Sequence, residues 1–299
     1  MTTPSLRGRA FPELSYANGQ QHRLTRWVIR TIEGLSGRDR LVVAYESWRD
    51  YVAQGGERVF GAILDLIRLR VDVSGHWPPI QITNQPQSPL VIIANHPFGI
   101  GDGVSVLSLA EQLGRPFRVL VAADLLKVPE MAAYALPVDF SETKEAMQNN
   151  IAMRHEAVRL LKEGVTIVVF PGGGVATAPK GFGKAQDLPW KIFPARLIQD
   201  AKASVIPMYV HGQNGRLFHL VSRAMHLTER RNRVARFVGR ASLTLRLSML
   251  VREFTRLAGG AMSIHVGQPI AWAEMQDIKD RKQLIGFLEH RVKALGDYS

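Results

Sequence analysis

The chain has 299 residues, 46% of them hydrophobic and 21% charged, an ordinary globular composition that excludes disorder as the main state. It contains no cysteine, which excludes disulfide scaffolds, thiolate nucleophiles and cysteine-ligated zinc or iron–sulfur centres. The 38 Lys and Arg against 26 Asp and Glu leave a net charge of +12 and a pI near 10.3, a balance that favours anionic partners.

Residues 1–22 are polar and carry Pro4, Gly8, Pro12 and Gly19, so they read as a flexible arm without the apolar centre of a secretory signal. Residues 23–72 read as an N-terminal helical region with three apolar stripes. The first runs through Trp27, Ile29, Ile32 and Leu35 and stops at Gly37. The second takes in Leu41, Val42, Tyr45, Trp48 and Val52, ending at Gly55-Gly56, and the third Val59, Phe60, Ile63, Leu64, Ile67 and Leu69.

After Trp77-Pro78-Pro79 the texture changes, and residues 73–299 read as one α/β domain. Leu90–Ala94, Arg118–Ala122, Thr166–Phe170, Ser204–Val210 and Met262–Val266 are expected strands. Val104–Leu113, Glu142–Lys162, Trp190–Lys202, Leu243–Leu257 and Asp277–Leu295 are expected helices, with a basic helical stretch near Arg223–Arg240. This alternation predicts a mixed, mostly parallel sheet covered by helices. Between Arg216 and Arg256 lie ten arginines against Glu229 and Glu253, so this stretch alone carries +8. No run of apolar residues is long enough to span a bilayer, so a soluble or peripheral protein is expected.

Three segments can carry chemistry. In Val91-Ile92-Ile93-Ala94-Asn95-His96-Pro97-Phe98-Gly99-Ile100-Gly101-Asp102-Gly103 an apolar strand runs into Asn-His, then a glycine-rich turn, then an Asp that opens a helix. Strand ends are where ligand sites gather in α/β sheets. Asp102 can hold one imidazole nitrogen of His96 while the other takes a proton, the base-plus-orienter arrangement of general-base catalysis. The plainer alternative makes Asp102 a helix cap and His96 a packed turn residue. The second segment, Val165–Val175, is a strand that ends in Phe170-Pro171-Gly172-Gly173-Gly174. Successive glycines let backbone N–H groups approach a phosphate or an oxyanion, or simply make a tight turn. Lys180 and Lys184 follow it as either anion contacts or solvated lysines. The third, Val205–Asn214, is a strand with Pro207 inside it and a polar exit.

In this order the three segments resemble the lysophospholipid (glycerolipid) acyltransferase superfamily over roughly residues 30–270. Asn95, His96 and Asp102 are similar to its first block, Phe170, Pro171 and Gly173 to its third, and Ile206-Pro207-Met208 to its fourth. Five residues between His and Asp, and Asp187-Leu188-Pro189-Trp190 before the fourth block, resemble the hemolysin-like or ornithine-lipid-type branch. The second block is matched loosely around Leu125-Leu126-Lys127-Val128. The resemblance implies a catalytic pair of His96 and Asp102, with substrate contacts at Asn95, Lys127, Phe170, Pro171, Gly172, Gly173, Gly174 and Lys180. It departs from the wider family where Gly172 and Val175 stand for Glu and Arg. Losing that guanidinium removes a bidentate phosphate clamp, which points from lysophosphatidate toward a lysolipid with another head group, a lyso-ornithine-type lipid or another lysophospholipid.

What the resemblance implies is acyl transfer from acyl carrier protein or acyl-CoA to a lysolipid hydroxyl in membrane lipid synthesis. No metal and no further cofactor is expected, nor an acyl-enzyme, since no Gly-x-Ser-x-Gly elbow occurs. An anionic membrane surface is an expected partner and nucleic acid is not, with the protein peripheral on the cytoplasmic face of the membrane or in the cytoplasm. Three alternatives stay open on sequence alone: a basic nucleic-acid binder, a lipid esterase using Ser105 or Ser108, and a non-catalytic lipid-binding scaffold of the same fold. The remaining histidines have no metal-ligand spacing.

Overall fold

The computed structural model describes residues 38–79, 87–122, 128–139, 143–231 and 249–297. The expected arm over 1–22, the stripe Trp27–Leu35, Lys127, and residues 232–248 of the basic stretch lie outside them.

A seven-stranded sheet organises the chain, in the order β1-β7-β6-β2-β5-β3-β4. Its strands are β1 (Arg70–Gly75), β2 (Leu90–Ala94), β3 (Phe117–Ala122), β4 (Ala135–Val138), β5 (Thr166–Val169), β6 (Ser204–Val210) and β7 (Ala261–Val266). Every neighbouring pair is parallel except β6 and β7, which meet antiparallel over Met208↔Val266, Tyr209↔His265 and Val210↔Ile264. At the centre, Leu-Val-Ile-Ile-Ala of β2 is buried at all five positions. A continuous apolar run, rather than an alternating one, is what a parallel strand covered on both faces requires.

Two helical layers cover the sheet. On one face Leu90, Ile92 and Ala94 share a core with α1 (Arg38–Ala53), α2 (Val59–Leu66) and α3 (Ile100–Gln112) through Trp48, Phe60, Val106 and Leu109. On the other, Val91 and Ile93 join Ile167 and Val169 against α4 (Lys144–Lys162), α5 (Phe193–Ala201) and, farther along the chain, the helix Arg281–Ala294. A third, smaller core of Val175, Phe218, Met249 and Leu250 ties the loop after β5 to α6 (Arg216–Arg231) and to the helical residues 249–257, α7. The mixed, mostly parallel sheet with helices on both faces and a helical N-terminal region is the expected fold class.

All five expected strands are present, but β1 and β4 were not expected. Both are edge strands, and neither looks like a core strand in sequence. No residue of β1 is buried, and Arg70–Asp72 fall inside the region 23–72 expected to be helical, whose third helix ends at Leu66. In β4, Pro137 interrupts a four-residue run, and an edge tolerates the missing N–H. The helix after β2 begins at Ile100, four residues before the expected Val104, so the glycine-rich stretch 101–103 is helical.

Helix α2 has no side-chain cap of its own and no acid in its first turn. Glu111 of α3 serves instead: its carboxylate accepts hydrogen bonds from Phe60 N (3.0 Å) and Gly61 N (2.9 Å). That contact pins the N-terminal helices to the helix that leaves the central strand. Replacing an N-terminal acceptor costs about 1–2 kcal/mol. Glu111→Ala should therefore lower unfolding free energy by about that amount in urea titrations, with Glu111→Gln losing less.

Candidate active site

The site begins where β2 ends. Asn95 is buried, and its amide exchanges two hydrogen bonds with one residue of β6: Nδ2 donates to Val210 O (2.9 Å) and Oδ1 accepts from Val210 N (2.7 Å). This side chain extends the β2–β6 contact past the last backbone pair, Ala94↔Met208. His96 is thereby presented at the C-terminal edge of the central strand. In open α/β sheets that edge, where connections leave in both directions, is where ligands bind.

His96 Nδ1 lies 3.1 Å from Asp102 Oδ1. Asp102 is fully buried in the first turn of α3. Its Oδ2 accepts from Phe98 N (2.9 Å) and its Oδ1 from Gly103 N (2.8 Å), so two main-chain donors hold the carboxylate while one oxygen faces the imidazole. Asp102 is therefore not the helix cap, a position taken by Gly99, but stands in the first turn and meets His96. A negative charge in a first helical turn is also favoured by the helix dipole.

Two glycines permit this turn. Gly99, at φ +87°, precedes α3, and a Cβ there would lie 2.9 Å from Val175 Cγ2 and 3.0 Å from Leu250 Cδ2. Gly212, at φ +105°, lies under the Phe98 ring, where a Cβ would come within 2.7 Å of Cζ.

The loop after β5 forms the other wall. The Phe170 ring stacks on His96 with centroids 4.3 Å apart and 30° between planes. Ala176 N donates to His96 O (2.8 Å), while Asp187 Oδ1 accepts from His96 N (3.1 Å). The main chain of His96 is thus gripped from both sides by one loop. Asp187 Oδ2 also accepts from Trp190 Nε1 (3.1 Å). Burial pushes the Asp187 carboxyl above the usual carboxylate range, opposed by its hydrogen bonds from His96 and Trp190. The polar exit of β6 closes the frame, with Asn214 Nδ2 donating to Phe98 O (3.3 Å). Gln213 accepts from Ala185 N (2.7 Å) and donates to Gly183 O (3.0 Å).

The sequence-derived candidates separate into groups here. His96 contacts both Asp102 and Phe170. Asn95 is engaged with Val210. Pro171 and Gly172 are buried, and Pro171 O accepts from Lys191 N (2.9 Å). Gly173 N closes a turn onto Phe170 O (3.0 Å), whereas Gly172 and Gly174 N–H have no backbone partner among the described residues. Lys180 lies exposed farther along the loop, with its carbonyl bonded to Arg223. Lys127 lies outside the described residues.

The departures from the wider family's third block also have physical reasons. A Cβ on Gly172 would lie 3.2 Å from Leu188 O, so the segment that carries Asp187 occupies the space beside it. Val175 is an apolar member of the small third core, in contact range of Gly99. Asp187, Gln213 and Asn214 were not among the expected site residues. Only the resemblance drew attention to them, because a polar side chain on a loop gives no periodic signal of what it will meet. Among the described residues, no group of three or more His, Asp or Glu is placed to hold a metal ion.

Removing the Asn95 amide would leave the Val210 N–H and C=O buried without partners. Asn95→Ala should cost about 2–4 kcal/mol in chemical denaturation, and activity should fall with it because His96 loses its anchor. A second expectation concerns acid. His219 on α6 is buried, its Nδ1 accepts from Ala178 N (3.3 Å), and burial holds its pKa below the ordinary value. With the folded value depressed, the unfolded chain takes up the proton first, and stability present above about pH 6.5 is lost as pH falls. His219→Gln should flatten the fall in urea midpoint between about pH 7 and pH 5.

No curated protein matches the chain. Residues 79–211 match the family model described as Acyltransferase, and that span runs from just before β2 to the end of β6. It contains Asn95, His96, Asp102, the loop after β5 and Asp187, and ends just before Gly212, Gln213 and Asn214. The match covers somewhat under half of the chain; residues 79–211 are similar to the acyltransferase family, and this similarity supports a general acyltransferase role.

Proposed function

We propose that the protein transfers a fatty acyl group from a thioester, on acyl carrier protein or coenzyme A, to the hydroxyl of a lysolipid. The observation that carries this reading is the 3.1 Å approach of His96 Nδ1 to the buried Asp102 carboxylate. In the tautomer this reading requires, Nδ1 beside Asp102 carries the proton, and Nε2 is the basic nitrogen of the neutral ring. It takes the proton of the acceptor hydroxyl as that oxygen attacks the thioester carbonyl. Asp102 stabilises the imidazolium that forms. Collapse of the tetrahedral intermediate breaks the carbon–sulfur bond, and the departing thiolate recovers the proton from His96. Atoms and charge balance without an acyl-enzyme.

The Gly172 and Gly174 amides are the candidate donors to the developing oxyanion or to a donor phosphate, and Lys180 is a candidate anion contact. Phe170 stacks on His96 and restricts the tilt of its ring. The apolar surroundings of Val175 support an acceptor that needs no guanidinium clamp at that position, a lyso-ornithine-type lipid or a lysophospholipid other than lysophosphatidate. No described helix is long and apolar enough to cross a membrane. A lysolipid acceptor therefore implies peripheral work at an anionic membrane surface.

The test is transfer by purified protein from labelled acyl-CoA and acyl carrier protein to a panel of lysolipids. General-base help is worth about 10²–10⁴-fold, so His96→Ala should lose activity by that factor while it remains folded. Asp102→Asn should lose a similar share of kcat with a smaller change in KM. Absence of transfer to every acceptor, with lipid binding intact, would replace this reading with a non-catalytic lipid-binding role.

A further inference from the structure

The loop that grips His96 continues to an exposed tip. Ala178 N is bonded to His219 on α6, and the chain then runs through Pro179-Lys180-Gly181-Phe182-Gly183-Lys184. Gly181 and Gly183 both have positive φ, +78° and +93°. Between them Phe182 projects into solvent with 63% of its surface exposed. The tip lies along α6: a Cβ on Gly181 would be 3.1 Å from Arg223 Cδ and 3.2 Å from Leu220 Cδ2, and the Arg223 guanidinium bonds Lys180 O.

Helix α6 has two unlike faces here. Phe218, His219 and Ser222 are buried against the domain. Leu217 and Leu220, one turn apart, are 47% and 51% exposed. Phe182, Leu217 and Leu220 thus make one apolar ridge. Around it stand Lys180, Lys184, Arg216 and Arg223, all exposed, while residues 176–186 and 213–224 contain no Asp or Glu. An apolar ridge rimmed by cations alone is complementary to an anionic bilayer, where rings and leucines enter the acyl boundary and cations meet the head groups.

We infer that Phe182, Leu217 and Leu220 form the surface by which this protein docks on an anionic membrane, with Lys180, Lys184, Arg216 and Arg223 engaging the lipid head groups. The inference rests on the lysolipid-acyltransferase reading for its purpose and deepens it. The docking tip and His96 are joined by one loop, through the Ala176 N to His96 O bond, so an acceptor lying in the leaflet reaches the base at the interface. Three large exposed apolar side chains among the cations select a bilayer over an acidic carrier protein, which cations alone would hold.

The experiment is co-sedimentation with phosphatidylcholine vesicles made with and without phosphatidylglycerol. Wild type is expected to bind the anionic vesicles and to be released by salt. The double variant Phe182→Ser, Leu220→Ser should bind them about tenfold or more weakly. Met147→Ser, at an equally exposed apolar residue of α4 in the other helical layer, should bind like wild type. Transfer to a short-chain lysolipid below its aggregation concentration should stay within about twofold of wild type in the double variant. Vesicle binding unchanged in the double variant overturns the proposal. So does wild type ignoring vesicles while Phe182 and Leu220 are needed to bind purified acyl carrier protein. If wild type transfers no acyl group yet the double variant alone loses vesicle binding, the docking surface stands and the catalytic reading falls.

Discussion

The pair of hydrogen bonds between the Asn95 amide and Val210 is the constraint on which the rest of the site depends. A backbone residue at this position would have to continue the strand in order to make both bonds. A side-chain amide makes them while its own backbone turns away. The central strand can therefore stay paired to its last residue and still release His96 into the crevice above the sheet. Everything downstream inherits that exit point: the Gly99 turn, the first turn of α3, and the placement of Asp102 beneath the imidazole.

The second organising principle is that the segment carrying His96 takes much of its frame from other loops. Main-chain contacts to His96 come from Ala176 and Asp187, its ring partner is Phe170, and Phe98 is held by Asn214. The loops after β5 and β6 thus determine how His96 sits. Where the wider family places a charged pair in the third block, this chain packs Gly172 under Leu188 and Val175 into an apolar core. Asp187 brings a carboxyl back to the same neighbourhood from farther along the loop, and directs it to the His96 backbone N–H. The loss of the family's charged residues is thus compatible with an intact His–Asp geometry.

The central strands β2, β5 and β6 were legible because buried parallel strands require nearly unbroken apolar runs, and Leu90–Ala94 and Ser204–Val210 match their predicted bounds. Edge strands lack that requirement, so β1 and the Pro137-containing β4 gave no comparable signal. The His96–Asp102 pair was legible because both partners lie on one short segment whose turn geometry is set by local glycines. Asp187 and Asn214 were not read from pattern alone, since their partners, His96 and Phe98, lie 91 and 116 positions away. The net positive charge pointed to an anionic partner, but only the fold brings the 180–184 tip onto the exposed leucines of α6.

The central claim is that Asp102 fixes the tautomer of His96 so that Nε2 serves as the base. Nitrogen-15 NMR of histidine-labelled protein, with His96 assigned by the His96→Ala spectrum, measures this directly. With the ring neutral, the account predicts a proton on Nδ1 and none on Nε2, and loss of that preference in Asp102→Asn. A neutral His96 that carries its proton on Nε2 would contradict it.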